Sequence, residues 1–299
     1  MRPRLLLLLA AVLVVALAAL TLLFWQRTPA ARLMPEPNGF NDFEAAAKLV
    51  TKLPAATDDW QKLKPAALET WVAANAPALA LVRTGLTKQC LAPVVGSLTN
   101  LEARMEQLGS LKRLGQALCA ESRLAALQGR TKAAASSALD CVRFGQESAR
   151  GGPVIQSLVG IAVRAIGLAQ FNRVSGSLDA ATLRQAAATL EKVVATRETA
   201  ADVLESEALF VRTAFPLGQR LAGRIANWTS GNQAITKGTQ KLDAEAQGLA
   251  RAMLDCACRA YEMDHGKPPA SATNLVPDYL QALPNDPVTG QPLPLPRGR

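Results

Sequence analysis

The chain has 299 residues, 49% hydrophobic and 4% aromatic, which is ample apolar material for a core built mostly from Ala, Leu and Val. That composition excludes disorder throughout and favours closely packed helices. The net charge of +9 includes Arg2, Arg4, Arg27 and Arg32, with no acid among the first 32 residues, and the remainder is interleaved with acids; it lacks the dense basic stripe of a nucleic-acid groove, so no nucleic-acid partner is expected.

Residues 5–25 are apolar except for Thr21 and are flanked by Arg2 and Arg4 before and Arg27 after. Such a run, as a helix, spans about 30 Å, the thickness of a bilayer's hydrocarbon layer. The expectation is a single transmembrane anchor, residues 1–27, whose partner is membrane lipid. A cleaved signal peptide would have a shorter apolar core. Its formal cleavage sites, after Ala18 or Ala30, leave a greasy terminus in the first case and follow an overlong core in the second. The first cysteine is Cys90, so no N-terminal thiol is offered for acylation. Arg2, Arg4 and the free amino terminus outweigh Arg27 and Arg32 by about one positive charge, which predicts a cytoplasmic N-terminus and a body in the periplasm or an equivalent space.

Residues 28–39 carry Pro29, Pro35 and Pro37 and read as a linker. A helical domain is expected over residues 40–265. Asn41 and Glu44 suggest a capping-box start, Pro54 closes that helix, and Pro65 and Pro77 sit where two further helices would begin. Leu101, Met105, Leu108, Leu111, Leu114 and Leu118 recur every three or four residues and form one stripe of a long helix. Gly129 is its expected C-cap, Thr131 starts the next helix, and Gly151-Gly152-Pro153 ends it. Leu158, Ile161, Ala162, Ala165, Ile166 and Ala169 mark a nearly apolar helix over residues 154–174, expected to be central. A further helix, capped by the stretch from Ser177 to Asp179, is expected to run to Thr213. Gly129, Ala134 and Ala138 resemble a tetratricopeptide unit. Without a second copy at the repeat period, an irregular bundle is the better reading.

The residue clusters that could carry chemistry are few. Glu191, Glu198, Asp202 and Glu205 fall on one side of the expected helix, where paired carboxylates could act, but they lie beside its packing face and read as a solvated edge. Cys90, Cys119, Cys141, Cys256 and Cys258 read as buried apolar residues, with one disulfide possible in an oxidising compartment and no pairing legible. Cys256 and Cys258 are about 200° apart on a helix and cannot share a metal there. His265, the one histidine, sits at an expected helix C-terminus without a nucleophile elbow before it. The sequon Asn227-Trp228-Thr229 carries meaning only in eukaryotic secretion. No catalytic, cofactor-binding or metal-ligating residue is assigned, and no cofactor is expected.

After Gly266 the chain turns Pro-rich and irregular over residues 266–299: Gly266, Pro269, Leu275, Pro277, Tyr279, Leu280, Pro284, Asp286, Pro287 and Gly290 form an ordered string. The string resembles a segment of type II secretion major pseudopilins, in which an Ala-rich helix ending in Tyr is followed by a Leu-Val-Pro-x-Tyr-Leu element and a Pro-x-Asp-Pro-x-x-Gly turn. Together with Pro35-Glu36-Pro37-Asn38-Gly39, Glu121-Ser122-Arg123-Leu124 and Arg150-Gly151-Gly152-Pro153, it is also similar to uncharacterised membrane-anchored helical proteins of planctomycete-type bacteria. The glutamate-bearing leader of pilin-like subunits is missing, which argues against a processed pilus subunit. The residue pattern points to an all-α protein: one transmembrane helix, an irregular helical bundle and a short irregular C-terminal segment, in which Leu275, Val276, Tyr279, Leu280 and Leu283 are expected to pack on the last helix, with a partner-binding element as the alternative. The functional expectation is a non-enzymatic, membrane-anchored interaction or scaffold protein with a protein partner. The alternatives are a component or client of a secretion or pilus-like machine, and a hydrolase assembled from acids such as Glu198 and Asp202.

Overall fold

In the computed structural model, residues 33–54, 59–93, 101–215, 233–286 and 289–296 are described. The expected anchor over residues 5–25 and residues 28–32 of the linker lie outside them. Among the described residues the chain is all-helical, with eight α-helices and no strands. The helices are α1 (Gly39–Leu49), α2 (Pro65–Gly85), α3 (Leu101–Leu127), α4 (Thr131–Glu147), α5 (Val154–Ser175), α6 (Ala180–Ala195), α7 (Ala200–Ala214) and α8 (Gln233–His265); 3-10 turns add Trp60–Lys62 and Ala272–Leu275.

Helix α1 starts earlier than the Asn41 cap would place it. Asn38 is the N-cap, its Oδ1 accepting from the Phe40 amide at 3.0 Å and from the Leu91 amide at 3.0 Å, while its Nδ2 donates to Leu91 O at 2.8 Å. One buried amide thus satisfies the helix start and the strand-like loop beside it, a demand that only the folded neighbour reveals. Gly39 follows because a Cβ there would meet Gly85 O at 2.4 Å and Cys90 Sγ at 2.6 Å. Pro65 opens α2 as expected, but Pro77 lies inside α2 instead of starting a helix. Ala73 and Pro77 are both exposed, so the carbonyl that proline leaves without a helical donor faces water.

The hydrophobic core has two neighbouring clusters. The first gathers Phe40, Phe43, Trp60, Leu68, Trp71, Leu79, Leu111, Leu114, Leu118 and Phe144, with Phe43 and Phe144 edge to face at 5.0 Å. The second gathers Phe171, Leu183, Leu190, Leu249, Met253, Leu254, Leu275, Tyr279 and Leu280. Helices α3, α4 and α5 contribute to both, through Leu118 and Ala125, Phe144 and Val142, and Val163 and Phe171. Leu108, Leu111, Leu114 and Leu118 of the α3 stripe are buried as their spacing implies, whereas Met105 is 50% exposed. Gly129 ends α3 at φ +73°, with the Arg130 amide bonded back to Ala125 O at 2.8 Å and the Gly129 amide to Ala126 O at 3.0 Å, a Schellman closure.

Two further expectations are corrected. Helix α5 is embedded between α3, α4 and α8, but it does not bury its aliphatic stripe. Gly160, Val163, Arg164, Gly167, Gln170 and Phe171 are buried, whereas Ala162, Ala165 and Ala169 are exposed and Leu158, Ile161 and Ile166 half-buried. Close approach to α4 decides this. A Cβ on Gly160 would meet Ala149 Cβ and Gly145 O, each at 2.5 Å, and one on Gly167 would meet Cys141 Cβ at 3.0 Å. The second correction is that the helix expected to reach Thr213 is two helices. Thr199 caps α7, accepting from the Asp202 amide at 3.2 Å while Asp202 Oδ2 accepts from the Thr199 amide at 2.8 Å. Threonines at 196 and 199 offer the backbone local hydroxyl partners, which end one helix and start the next.

Candidate functional site

The helix break removes the common face on which the four carboxylates were placed. Glu191 stays on α6, and its Oε1 accepts from the Gln281 and Ala282 amides at 2.8 and 2.9 Å. Glu198 lies between the helices and accepts from the Gly151 amide at 2.9 Å. Asp202 belongs to the α7 capping box. Glu207 of α7, which the sequence pattern did not single out, accepts from the Val154 amide at 2.8 Å and so caps α5. Each of these contacts sets a carboxylate against peptide N–H groups, a charge-assisted arrangement that orders loops and helix starts.

Beside Glu198 lies a cavity of about 20 Å³ lined by Gln146, Ser157, Arg164, Arg197, Val203 and Glu245, among others. Its floor is an ion pair between α5 and α8: Arg164 Nε donates to Glu245 Oε1 at 2.5 Å and Nη2 donates to Oε2 at 3.1 Å, with side chains 8% and 10% exposed. Gln146 Nε2 donates to Thr196 Oγ1 at 2.9 Å, while its Oε1 is buried without a hydrogen-bond partner. This volume matches about one solvent molecule. The signal for the pair was a lone arginine in the apolar α5 run, but its partner is 81 residues away and no local pattern identifies it.

The C-terminal string folds back onto α8. Gly266 leaves the helix at φ +68°, Pro269 is half-buried and Pro277 exposed. Leu275, Tyr279 and Leu280 are buried among Leu249, Met253, Leu254 and Ala257, and Pro284 is buried beyond them. Val276 packs against the same cluster, whereas Leu283 is only half-buried and does not join it. Asp286 organises the turn: its carbonyl accepts from the Gly290 amide at 2.8 Å, its Oδ1 from the Thr289 amide at 3.0 Å and its Oδ2 from Gln247 Nε2 of α8 at 2.8 Å. Pro287 lies outside the described residues.

His265 caps the end of this arrangement. Its ring stacks on Tyr261 at 4.0 Å, and Nδ1 lies 3.0 Å from Tyr261 O. The Tyr279 hydroxyl donates to Asp264 Oδ2 at 2.8 Å, and Asp264 also pairs with Arg184 at 3.6 Å. Desolvation together with the adjacent Asp264 carboxylate pushes the Tyr279 phenol up to about 12, because ionisation would set two negative charges side by side. The group joins α6, α8 and the C-terminal segment.

A second charged group joins α2, α3 and α4. Arg83 bonds to Glu121, donates to Asp140 Oδ2 at 3.0 Å, and Ser137 Oγ donates to Glu121 Oε2 at 2.6 Å. All five cysteines are free and buried. Burial raises the Cys90 and Cys256 thiols to about 12 and Cys258 to about 11, values that suit packing more than nucleophilic attack. Among the described residues no group of three His, Cys, Asp or Glu side chains is placed to hold a metal ion. No family model, curated protein or solved structure matches this chain.

Proposed function

We propose that this protein is a membrane-anchored helical interaction or scaffold protein, held by residues 5–25 with its helical body in the periplasm or an equivalent space. The observation that carries the interaction reading is the inverted polarity of α5. That helix turns Gln156, Ser157, Arg164 and Gln170 inward and leaves Ile155, 43% exposed, in line with exposed Ala162, Ala165 and Ala169 and half-buried Leu158. Positions 155, 158, 162, 165 and 169 share one helical stripe. Its length and hydropathy would let α5 cross a bilayer, but a helix with the Arg164–Glu245 pair on its packed side reads as part of the bundle. A continuous apolar stripe on the surface is the kind of patch that protein partners cover. The anchor reading rests on the length and flanking charges of residues 5–25.

A photo-crosslinking residue at Ala162 or Ala165 in the full-length chain, expressed in its own cells, tests the interaction. A discrete protein adduct is expected from these positions and not from Arg130, an exposed residue at the α3–α4 turn. Equal labelling from all three, or none from any, would overturn the interaction reading. Fractionation tests the anchor: the chain should remain with membranes through carbonate and high salt, since screened surface charge could not hold it there.

A further inference from the structure

Cys119 of α3 and Cys141 of α4 face each other with their sulfurs 3.5 Å apart, both 0% exposed. Cys141 Sγ also lies 3.3 Å from Gly115 O of α3 and 3.4 Å from Val163 O of α5. Glycines make this convergence possible: a Cβ on Gly115 would meet a Val163 methyl at 2.7 Å, and Gly167 brings α5 against Cys141 Cβ. The other three cysteines have no sulfur neighbour of this kind. Cys90 lies near the carbonyls of Gly85 and Lys88 at 3.6 Å, and Cys256 and Cys258 belong to the second cluster.

We infer that Cys119 and Cys141 are a disulfide site that staples α3 to α4 when the chain folds in the presence of a small-molecule disulfide. The sulfurs need approach by only about 1.5 Å to bond, and the two helices are consecutive and antiparallel neighbours joined by the Gly129 turn. The reaction is thiol–disulfide exchange. One cysteine thiolate attacks a sulfur of oxidised glutathione, giving a mixed disulfide and one glutathione thiolate. The second cysteine thiolate then attacks the protein sulfur of that mixed disulfide and expels the other glutathione. Two protein thiols are oxidised, one external disulfide is reduced, and the two protons end on the released glutathiones.

The burial of both sulfurs sets the order of events. A mixed disulfide does not fit between α3, α4 and α5, so exchange precedes the closure of these helices or waits for their opening. Burial also raises the Cys141 thiol well above its ordinary value, which keeps it protonated and slow once folded. The bond, once formed, is shielded from reductants by the same packing. None of this depends on the topology proposed above, because it concerns the chain in any solution that contains the oxidant.

The full-length chain, purified in mild detergent, is unfolded under reducing conditions and refolded with reduced and oxidised glutathione. The expected product is lighter by two hydrogens, keeps three thiols, and yields the Cys119 peptide linked to the Cys141 peptide in a non-reducing digest. Chain that is refolded reduced and then given the same buffer should oxidise at least tenfold more slowly. A variant with Cys90, Cys256 and Cys258 replaced by Ala should form the same link. Retention of all five thiols after oxidative refolding would overturn the inference, as would a dominant link involving Cys90, Cys256 or Cys258. Equal oxidation rates for folded and unfolded chain would overturn the shielding.

Discussion

Gly160 sets the distance between α4 and α5, since a methyl group there would fall 2.5 Å from both Gly145 O and Ala149 Cβ. Gly160→Ala should therefore destabilise the fold by about 1–3 kcal/mol through overpacking, read from denaturant midpoints. Gly109 offers the contrast: a Cβ there meets nothing within 4 Å, so Gly109→Ala should stabilise α3 by about 0.5–1 kcal/mol. The Arg164–Glu245 pair gives a second test. Arg164→Met leaves Glu245 charged and nearly buried and should cost about 3–5 kcal/mol, with much of it recovered in the Arg164→Met, Glu245→Leu double variant. Tyr279 gives a third. Its folded value near 12 exceeds the ordinary 10.0 of a phenol, so its contribution is fully present below about pH 10 and is lost as pH rises from there through 12. Tyr261 and Tyr279 are the two tyrosines; ultraviolet titration of the folded chain should show a late phenolate step that Tyr279→Phe removes.

Helix ends in this protein are joined to distant elements by acids. Glu207 of α7 caps α5, and Glu191 of α6 holds the amides of Gln281 and Ala282. Glu191→Ala would leave those two amides to solvent and should cost about 1–3 kcal/mol, with faster proteolysis between α8 and the Asp286 turn as the more specific readout. Truncation after Gly266 goes further. It uncovers the face of α8 that Leu275, Tyr279 and Leu280 cover, at about 25 cal/mol per Å² of apolar surface, and should lower the melting temperature of the body. An unchanged melting temperature would mean that the docked segment adds nothing to stability.

Residues Met34–Arg299 form one compact unit, and its two hydrophobic clusters share helices α3, α4 and α5. Neither cluster can therefore lose its packing without exposing residues of the other, and unfolding of the body is expected to be a single cooperative transition. The body supplies its own probes. Trp60 and Trp71 report on the first cluster and Tyr279 on the second, so tryptophan fluorescence and near-ultraviolet tyrosine signals should change at one midpoint. Two separated midpoints would show that the shared helices do not couple the clusters.

Composition and periodicity alone determined the all-helical class, the α3 stripe and the limits of α3, α4 and α5, because glycine and proline act on the backbone within a residue or two of where they stand. The apolar density after Gly266 likewise made a docked C-terminal segment legible, with Leu283 the one member that stays outside the cluster. Tertiary structure decided what local pattern cannot reach. It turned the glycine and arginine face of α5 inward because α4 approaches too closely for side chains. It divided α6 from α7 where threonine hydroxyls and distant amides claimed the acids, and it brought Cys119 to Cys141. For α5 and for the two cysteines the deciding contact joins residues on different helices, and at the α6–α7 break Glu198 reaches the Gly151 amide 47 residues away, whereas a spacing rule sees only the helix on which each residue stands.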